Sequence, residues 1–405
     1  MQRDFRTWIE IDRKALHYNV GQFLKLIPEK TKFMAVVKSN AYGHGLVQVA
    51  KQLATPNPKS NTLNSRLWLG VDSIVEASRL RREGIKNSIL VLGSTLPSRI
   101  KEAAENGIIL TVSSFDALSA LSKIKNPPVF HIKIDTGMHR QGFLPAETFS
   151  AKGGSALGGK LIKFLKHSKL SPRGIFTHFA SAKDIAYPTY TLEQLKKFNA
   201  VVSVFKKAGF RNLIRHASAS GGTLLFSESH LDMVRVGMGI YGYFPSEESR
   251  IKNQESSFNL RPVLTWKTVV SEIKEIPAGS FVGYDLTECV HRKTRIAVLP
   301  IGYWHGYDRG LSVVGEVLIR GKRAKVLGRI SMDMTVVDVT DIPKVLVGDE
   351  TVLIGKQVPR PERPGSRWQS RLGSEDAIWA DELALKANTS HYEFLTRINP
   401  LIKRF

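Results

Sequence analysis

The chain has 405 residues, 42% hydrophobic and 23% charged, the composition of folded domains and not of a disordered tail; at ~100–200 residues per domain its length suggests two or three. No apolar run approaches the ~18 residues of a membrane helix. No apolar segment follows the charged start as a secretory leader requires, and the lone Cys289 permits neither an internal disulfide nor a Cys-based zinc site, so a cytoplasmic protein is expected.

In chain order, Thr7–Asp12 reads as a strand. Apolar β-type runs then alternate with helical patterns up to about residue 245. The strands are placed at Phe33–Val37, Leu67–Val71, Ser88–Leu92, Ile108–Val112, Val129–Ile134, Gly174–His178, Leu213–Ala217 and Met233–Val236. The clearest helices are Gly45–Leu53, Ser73–Glu83, Arg99–Asn106, Phe115–Ile124 and Leu192–Ala208, with Gly84 and Gly107 where helix C-termini favour glycine. Eight such units predict a (β/α)8 barrel of the TIM type. The alternative, an open doubly wound sheet, lacks its GxGxxG after the first strand.

From about Leu260 the pattern becomes mainly β, with runs at Pro262–Ile273, Thr294–Leu299, Val314–Ile319, Ala324–Leu327 and Thr335–Val339 and one good helix, Ser374–Ala387. The expected organisation is an N-terminal strand (1–12) packed with the C-terminal domain, a cofactor-binding barrel (13–257) and a β-rich C-terminal domain (258–405). Pro56–Ser65, Ala151–Gly159 and Pro359–Gly373 read as exposed loops.

The net charge of +23 raises nucleic acid or an anionic surface as partners. The cations crowd between Thr148 and Lys183 and between Lys356 and Arg371. No RNP sequence, zinc-finger spacing or basic heptad helix accompanies them, so no specific nucleic acid is expected.

Barrel chemistry sits at the C-terminal ends of the strands. There the sequence places Lys38, Lys133, Asp135, Arg140, His178, Ser218, Ser220, Arg235 and Gly237. The set lacks the ligands of a Mg²⁺ or Zn²⁺ site, and no metal is expected. A lysine ending a buried strand suits a Schiff base to an aldehyde, above all pyridoxal phosphate. Tyr42, Ser220, Gly237 and Met238 are placed for its phosphate.

Seven motifs, in order, resemble the alanine racemase family. They are Ala-Val-Val-Lys38-Ser-Asn-Ala-Tyr42-Gly-His-Gly, Lys133-Ile-Asp-Thr-Gly-Met-His-Arg140-Gln-Gly-Phe, Thr-His178-Phe-Ala, Val-Arg235-Val-Gly237-Met238-Gly-Ile-Tyr-Gly, Val-Gly-Tyr284, Leu-Pro-Ile-Gly-Tyr303 and Gly-Arg-Ile-Ser-Met332-Asp333. The resemblance implies a homodimer with active sites shared between subunits. It also implies interconversion of L- and D-alanine through a pyridoxal 5′-phosphate external aldimine with two bases, supplying D-alanine for peptidoglycan. Lys38 would hold the cofactor and act as the base on the D side, and Tyr284 of the other subunit as the base on the L side. Arg235 would face the pyridine nitrogen, His178 would lie beside the ring, and Arg140 would reach the cofactor's phenolic oxygen and the substrate carboxylate. Met332 would hold that carboxylate, and Tyr303 joins the substrate site. Lys133 stands where many members carry an N-carboxylated lysine.

Two positions depart from the family pattern. Asn399 stands where a tyrosine usually touches the phosphate and narrows the site, and Ala219 where an asparagine usually precedes the phosphate serine. They leave a serine, lysine or broad-specificity racemase as the alternative. The stretches near 151–169 and 356–371 look like lineage insertions.

Overall fold

A computed structural model describes residues 5–55, 66–148, 159–184, 187–254, 258–357 and 377–405. The chain divides into two compact units. One comprises Lys14–Ala41 and Leu46–Arg261, the other Met1–Arg13, Tyr42–Gly45 and Pro262–Phe405.

The first unit carries eight parallel strands: β2 (Lys32–Val36), β3 (Leu67–Val71), β4 (Ser88–Val91), β5 (Ile109–Val112), β6 (Phe130–Lys133), β7 (Gly174–Phe176), β8 (Ile214–His216) and β9 (Met233–Val236). Each pairs with the next in sequence from β2 to β8, and β9 pairs with β2, giving the order β8-β7-β6-β5-β4-β3-β2-β9. Between β8 and β9 no ladder is assigned among the described residues, and separate bonds join them, Asp232 N–H to Arg215 C=O and Arg235 N–H to Ser218 C=O, each at 3.0 Å. The strands are short, apolar and almost entirely buried, as parallel strands covered by helices must be. Helix termini follow local chemistry. Ser73 and Ser114 cap Ile74–Arg82 and Phe115–Ser122, and Gly84 and Gly107 take positive φ just beyond helix ends.

The second unit is built on antiparallel strands β10 (Leu264–Val269), β11 (Glu272–Ile276), β12 (Thr294–Leu299), β13 (Glu316–Ile319), β14 (Lys322–Leu327), β15 (Thr335–Asp338) and β16 (Glu350–Lys356). β1 (Thr7–Ile11) joins this sheet through β10, β17 (Ala377–Ile378) pairs with β16, and β18 (Lys403–Arg404) lies parallel to β1.

Several details correct the sequence reading. The run Pro262–Ile273 is two strands, β10 and β11, separated at Val270 and Ser271. The helix placed at Ser374–Ala387 begins at Ala380, because Ala377 and Ile378 are spent on β17; the expected first residue, Ser374, lies outside the described residues. A second helix, His391–Thr396, and strand β16 went unread. The supposed insertion near 151–169 contains helix Lys160–His167, whose Leu161, Ile162 and Leu165 are buried while Lys160 lies over the Phe115 ring at 4.1 Å. Much of that basic stretch is thus the outer face of an amphipathic barrel helix. The loops at 56–65 and 359–373, and 151–158, lie outside the described residues.

Gly174 opens β7 beneath the His131 ring, where an added Cβ would stand 2.6 Å from Cε1 and Nδ1. Gly174→Ala therefore overpacks the barrel core and should lower stability by about 1–3 kcal/mol. Urea denaturation should show a lower midpoint at unchanged slope; an unchanged midpoint would show that the ring has room to move.

Candidate active site

At the C-terminal ends of the barrel strands, Lys38 follows β2 after one intervening residue. The next four residues, Ser39, Asn40, Ala41 and Tyr42, all have φ between 51° and 55°. A left-handed turn without glycine costs roughly 1–2 kcal/mol per residue and needs outside support. Glu76, three residues after the cap Ser73, supplies it. Its Oε1 accepts the N–H of Ser39 at 2.7 Å and of Asn40 at 3.4 Å, and its Oε2 accepts the N–H of Asp72 at 2.8 Å. Asn40 Oδ1 then accepts the Leu46 N–H at 3.0 Å, starting helix Leu46–Ala54. The Lys38 ammonium lies 3.6 Å from Asp72 Oδ1.

Lys133 ends β6 and is 6% exposed. Its Nζ donates to Gln141 Oε1 at 3.0 Å, and Gln141 in turn donates to Ser113 Oγ at 3.2 Å. Burial, then the like charges of Arg140 and Arg235, lower its pKa from 10.5 to about 8. Asp135 anchors a turn in which its Oδ1 accepts the N–H of Gly137, Met138 and His139, each at 3.0 Å. Burial disfavours its charge, but these donors outweigh burial and hold its pKa below the usual carboxylate value. Lys133, Asp135, Met138, Arg140, Gln141 and His178 line one small cavity.

Arg235, on β9, is 3% exposed and meets no carboxylate among the described residues. Its Nη1 donates to His216 Nδ1 at 2.7 Å. Its Nη2 contacts the carbonyls of Thr177 (2.8 Å) and Ala217 (2.7 Å) and His178 Nδ1 (3.2 Å). Nε gives no hydrogen bond to any described residue. Burial lowers the guanidinium pKa to about 9, which leaves it charged at neutral pH.

A guanidinium can only donate, so it fixes its neighbours' tautomers. His216 accepts at Nδ1 and carries its proton on Nε2, which donates to His131 Nδ1 at 2.9 Å. His216 also stacks on Phe176, with ring centroids 4.6 Å apart. Burial, then Arg235, push the pKa of both His178 and His216 well below the ordinary value. Burial, then Arg173 and Arg235, lower that of His131 to about 3. All three rings are neutral at pH 7.

The buried Ser220 hydroxyl accepts the N–H of Gly237 (3.0 Å) and of Gly239 (3.4 Å), which leaves its own O–H to give. Gly237 thus spends its N–H inside the protein, and Met238 is buried beside it.

The barrel unit therefore brings Lys38, Lys133, Arg140, His178, Ser220, Arg235, Gly237 and Met238 to its strand ends. The other sequence candidates belong to the second unit. Tyr284 is 65% exposed and opens a short 3-10 turn. Tyr303 and Met332 lie on joined loops, where Tyr303 N–H meets Ser331 C=O at 3.1 Å and Trp304 N–H meets Met332 C=O at 3.0 Å. Asn399 Nδ2 donates to Trp304 C=O at 3.1 Å and its Oδ1 accepts the Leu401 N–H. The Tyr42 ring packs edge-on to Tyr392 at 6.4 Å.

Sequence reasoning passed over Glu76, Asp72, Gln141, His131 and His216. A signal existed for two of them: Ser73-Ile-Val-Glu76 is a capping-box spacing, and His131 shares the face of Lys133 two residues on. Among the described residues no three metal-ligating side chains gather, and no helix is long and apolar enough to cross a membrane.

The family model for the alanine racemase N-terminal domain matches residues 11–245, and that for the C-terminal domain matches 263–405. The chain belongs to the alanine racemase family. It is 34% identical to an alanine racemase of Leptospira interrogans, covering 100% of this chain and 96% of that protein. It is 38% identical to one of Symbiobacterium thermophilum, with 98% and 96% covered. A solved Bacillus anthracis alanine racemase with bound L-Ala-P superimposes with a TM-score of 0.82 at 32% identity, covering 98% and 94%. One from Clostridium difficile gives 0.83 at 28%, covering 99% and 96%.

The state of Lys133 sets a measurable pH dependence. Above pH about 8 the folded chain sheds this proton, while the unfolded chain keeps it up to 10.5, so stability rises with pH across that window. In buffer free of carbon dioxide, Lys133→Met should be more stable than the parent at pH 7, by up to about 3 kcal/mol at ~1.4 kcal/mol per pKa unit. The advantage should shrink as pH climbs past 8. Parallel denaturation curves from pH 6.5 to 9.5 would contradict the assigned burial of charge.

Proposed function

We propose that this chain is a pyridoxal-phosphate-dependent isomerase that interconverts L- and D-alanine, working as a homodimer in the cytoplasm and supplying D-alanine for peptidoglycan. The observation that carries the reading is the donor set at the strand ends. It comprises an amine on a strained turn, a buried guanidinium with its Nε unspent and a serine O–H that meets no acceptor among the described residues. These lie in a region where Lys38, Lys133, Arg140 and Arg235 outnumber Asp72 and Asp135. That set fits an anionic aromatic aldehyde. The bound cofactor supplies an electron-withdrawing ring conjugated to the substrate nitrogen, which acidifies the α-C–H.

In this reading Lys38 holds the cofactor and carries a proton to and from the α-carbon on the D side. Tyr284 does the same on the L side, since inversion needs a group on each face. Arg235, charged at neutral pH and able only to donate in that form, would meet the ring nitrogen of the cofactor as a donor and so disfavour a proton there. His178 would meet the cofactor ring as a neutral imidazole. Ser220, Gly237 and Met238 would hold the phosphate, and Tyr42 and Asn399 are the residues that the family resemblance adds to them. Arg140, Met332 and Tyr303 orient the substrate carboxylate. The Lys133 amine, held near 8, is partly unprotonated at neutral pH, the form that adds carbon dioxide; its carbamate would place an anion before Arg140. Added bicarbonate should then flatten the rise of the parent chain's stability with pH.

Support for a shared site comes from the second unit. Its loops expose Phe281, Tyr284, Leu286, Trp304, Met332 and Met334, each more than half accessible. Apolar side chains concentrated so are the mark of a surface that another chain covers. If the two bases come from different subunits, each symmetric dimer holds two complete sites. The alternative, a broader amino-acid racemase, is favoured by Asn399, whose amide is shorter than the tyrosine usual there. Racemisation of L-alanine, L-serine and L-lysine side by side separates the two.

Lys38→Ala and Tyr284→Phe should each lose about 10²–10⁴ in turnover, the range for one general acid–base group. Mixed under subunit exchange, they should recover about a quarter of the parent activity per site, because half of the dimers carry one intact site. Exchange shown by mass spectrometry without recovered activity would mean that both bases lie in one chain.

A further inference from the structure

We propose that Glu76 is the positioning residue of Lys38: its carboxylate, reaching from the neighbouring βα unit, holds the left-handed turn that sets where the amine emerges. The proposal rests on the reading of Lys38 as the cofactor lysine.

Strand β2 ends at Val36 and its last bond to β3, Val37 N–H to Gly70 C=O at 2.8 Å, stops one residue short of Lys38. Beyond the lysine, Ser39, Asn40 and Ala41 stand at φ 55°, 55° and 53°, a conformation each would leave if released. The bond from Ala41 N–H to Val37 C=O, at 2.9 Å, bridges the turn but leaves the Ser39 and Asn40 N–H groups without backbone partners among the described residues. Both point at Glu76 Oε1, at 2.7 and 3.4 Å. The other oxygen, Oε2, accepts the Asp72 N–H at 2.8 Å, which fixes the carboxylate to the start of its own helix. The helix is further registered by Ser73 Oγ, which accepts the Glu76 N–H at 3.4 Å.

One carboxylate thereby ties the lysine turn to the turn after β3. The same short segment carries Asp72, whose Oδ1 is 3.6 Å from Lys38 Nζ. Backbone and amine of the lysine segment are thus referred to a single rigid element, residues 72–76. Hydrogen bonds to a charged acceptor are about twice as strong as neutral ones, and three converge here. Glu76 stands off the reacting atoms; it acts through the placement of Lys38.

The test uses the full-length protein freed of cofactor, pyridoxal phosphate as the probe, and Glu76→Gln and Glu76→Ala as variants. Borohydride trapping, with the modified peptide located by mass spectrometry, reads the rate of covalent capture at Lys38. Glu76→Ala should slow capture by about 10–100-fold, the equivalent of losing one or two charge-assisted hydrogen bonds. Glu76→Gln, which keeps one carbonyl oxygen, should recover part of the rate. In the reconstituted variants, exchange of the α-hydrogen with solvent should slow more from D-alanine than from L-alanine, an asymmetry that loss of folded protein alone cannot produce. If Glu76→Ala does not fold, amide exchange in the parent decides: Ser39 and Asn40 should be protected, and rapid exchange there overturns the proposal. Capture at the parent rate in a folded variant also overturns it. If the parent itself traps no cofactor at Lys38, the reading of the lysine fails instead, and the two failures are told apart.

Discussion

Arg235 gives an Nη1 hydrogen to the His216 imidazole and its two Nη2 hydrogens to the carbonyls of Thr177 and Ala217, with His178 Nδ1 a further 3.2 Å contact of Nη2, and no carboxylate among the described residues approaches it. A buried cation without an anion is costly, because no attraction to a counter-charge offsets the lost hydration. Here the cost is met by dipoles, and that choice governs the rest. Every acceptor must present a lone pair, so His178 and His216 are held neutral with their protons on Nε2, and His131 follows in line. Gly174 is bare because the His131 ring fills the space over it. Burial and then Arg140 depress the Lys133 amine, and the field of Arg235 adds to both. A carboxylate in place of one imidazole would neutralise the guanidinium and free these tautomers.

The second constraint is geometric. Lys38 does not emerge from the strand as a side chain in the ladder; it emerges from a left-handed turn stabilised from the next βα unit. Strain of this kind persists only where the surroundings over-determine it. Three N–H groups on one Glu76 carboxylate and the Asp72 carboxylate near Nζ provide that excess of restraint. An amine that attacks an aldehyde and moves a proton at one face of a carbon benefits from such placement.

The barrel was legible because its strands are near-continuous apolar runs bounded by turn residues. Leu67–Val71 and Met233–Val236 coincide with the sequence reading, and the others differ by one or two residues at one or both ends. The second unit was harder. The break at Val270 and Ser271 interrupts a run that reads as continuous, and Ala377–Ile378 is a strand only because β16 offers an edge, a fact no local pattern contains. Of the candidate site, residues such as Lys38, Tyr42, Ser220 and Tyr284 drew notice in the sequence because each stands beside a glycine or just past a strand end. His216, His131 and Glu76 did not, because their roles depend on partners 19, 85 and 37 residues away. A histidine in an apolar strand and a glutamate in a helix's first turn look ordinary until those partners are known.

A buried, permanently donating guanidinium that holds the surrounding imidazoles neutral in a single tautomer leaves a spectroscopic mark. Nitrogen-15 NMR of protein labelled in its histidine side chains reads it directly. His178 and His216 should appear as neutral rings protonated at Nε2, with no imidazolium forming as pH falls from about 8 to about 5.5. Titration of either ring near the ordinary value of ~6.5, or a proton found on Nδ1, would contradict the account.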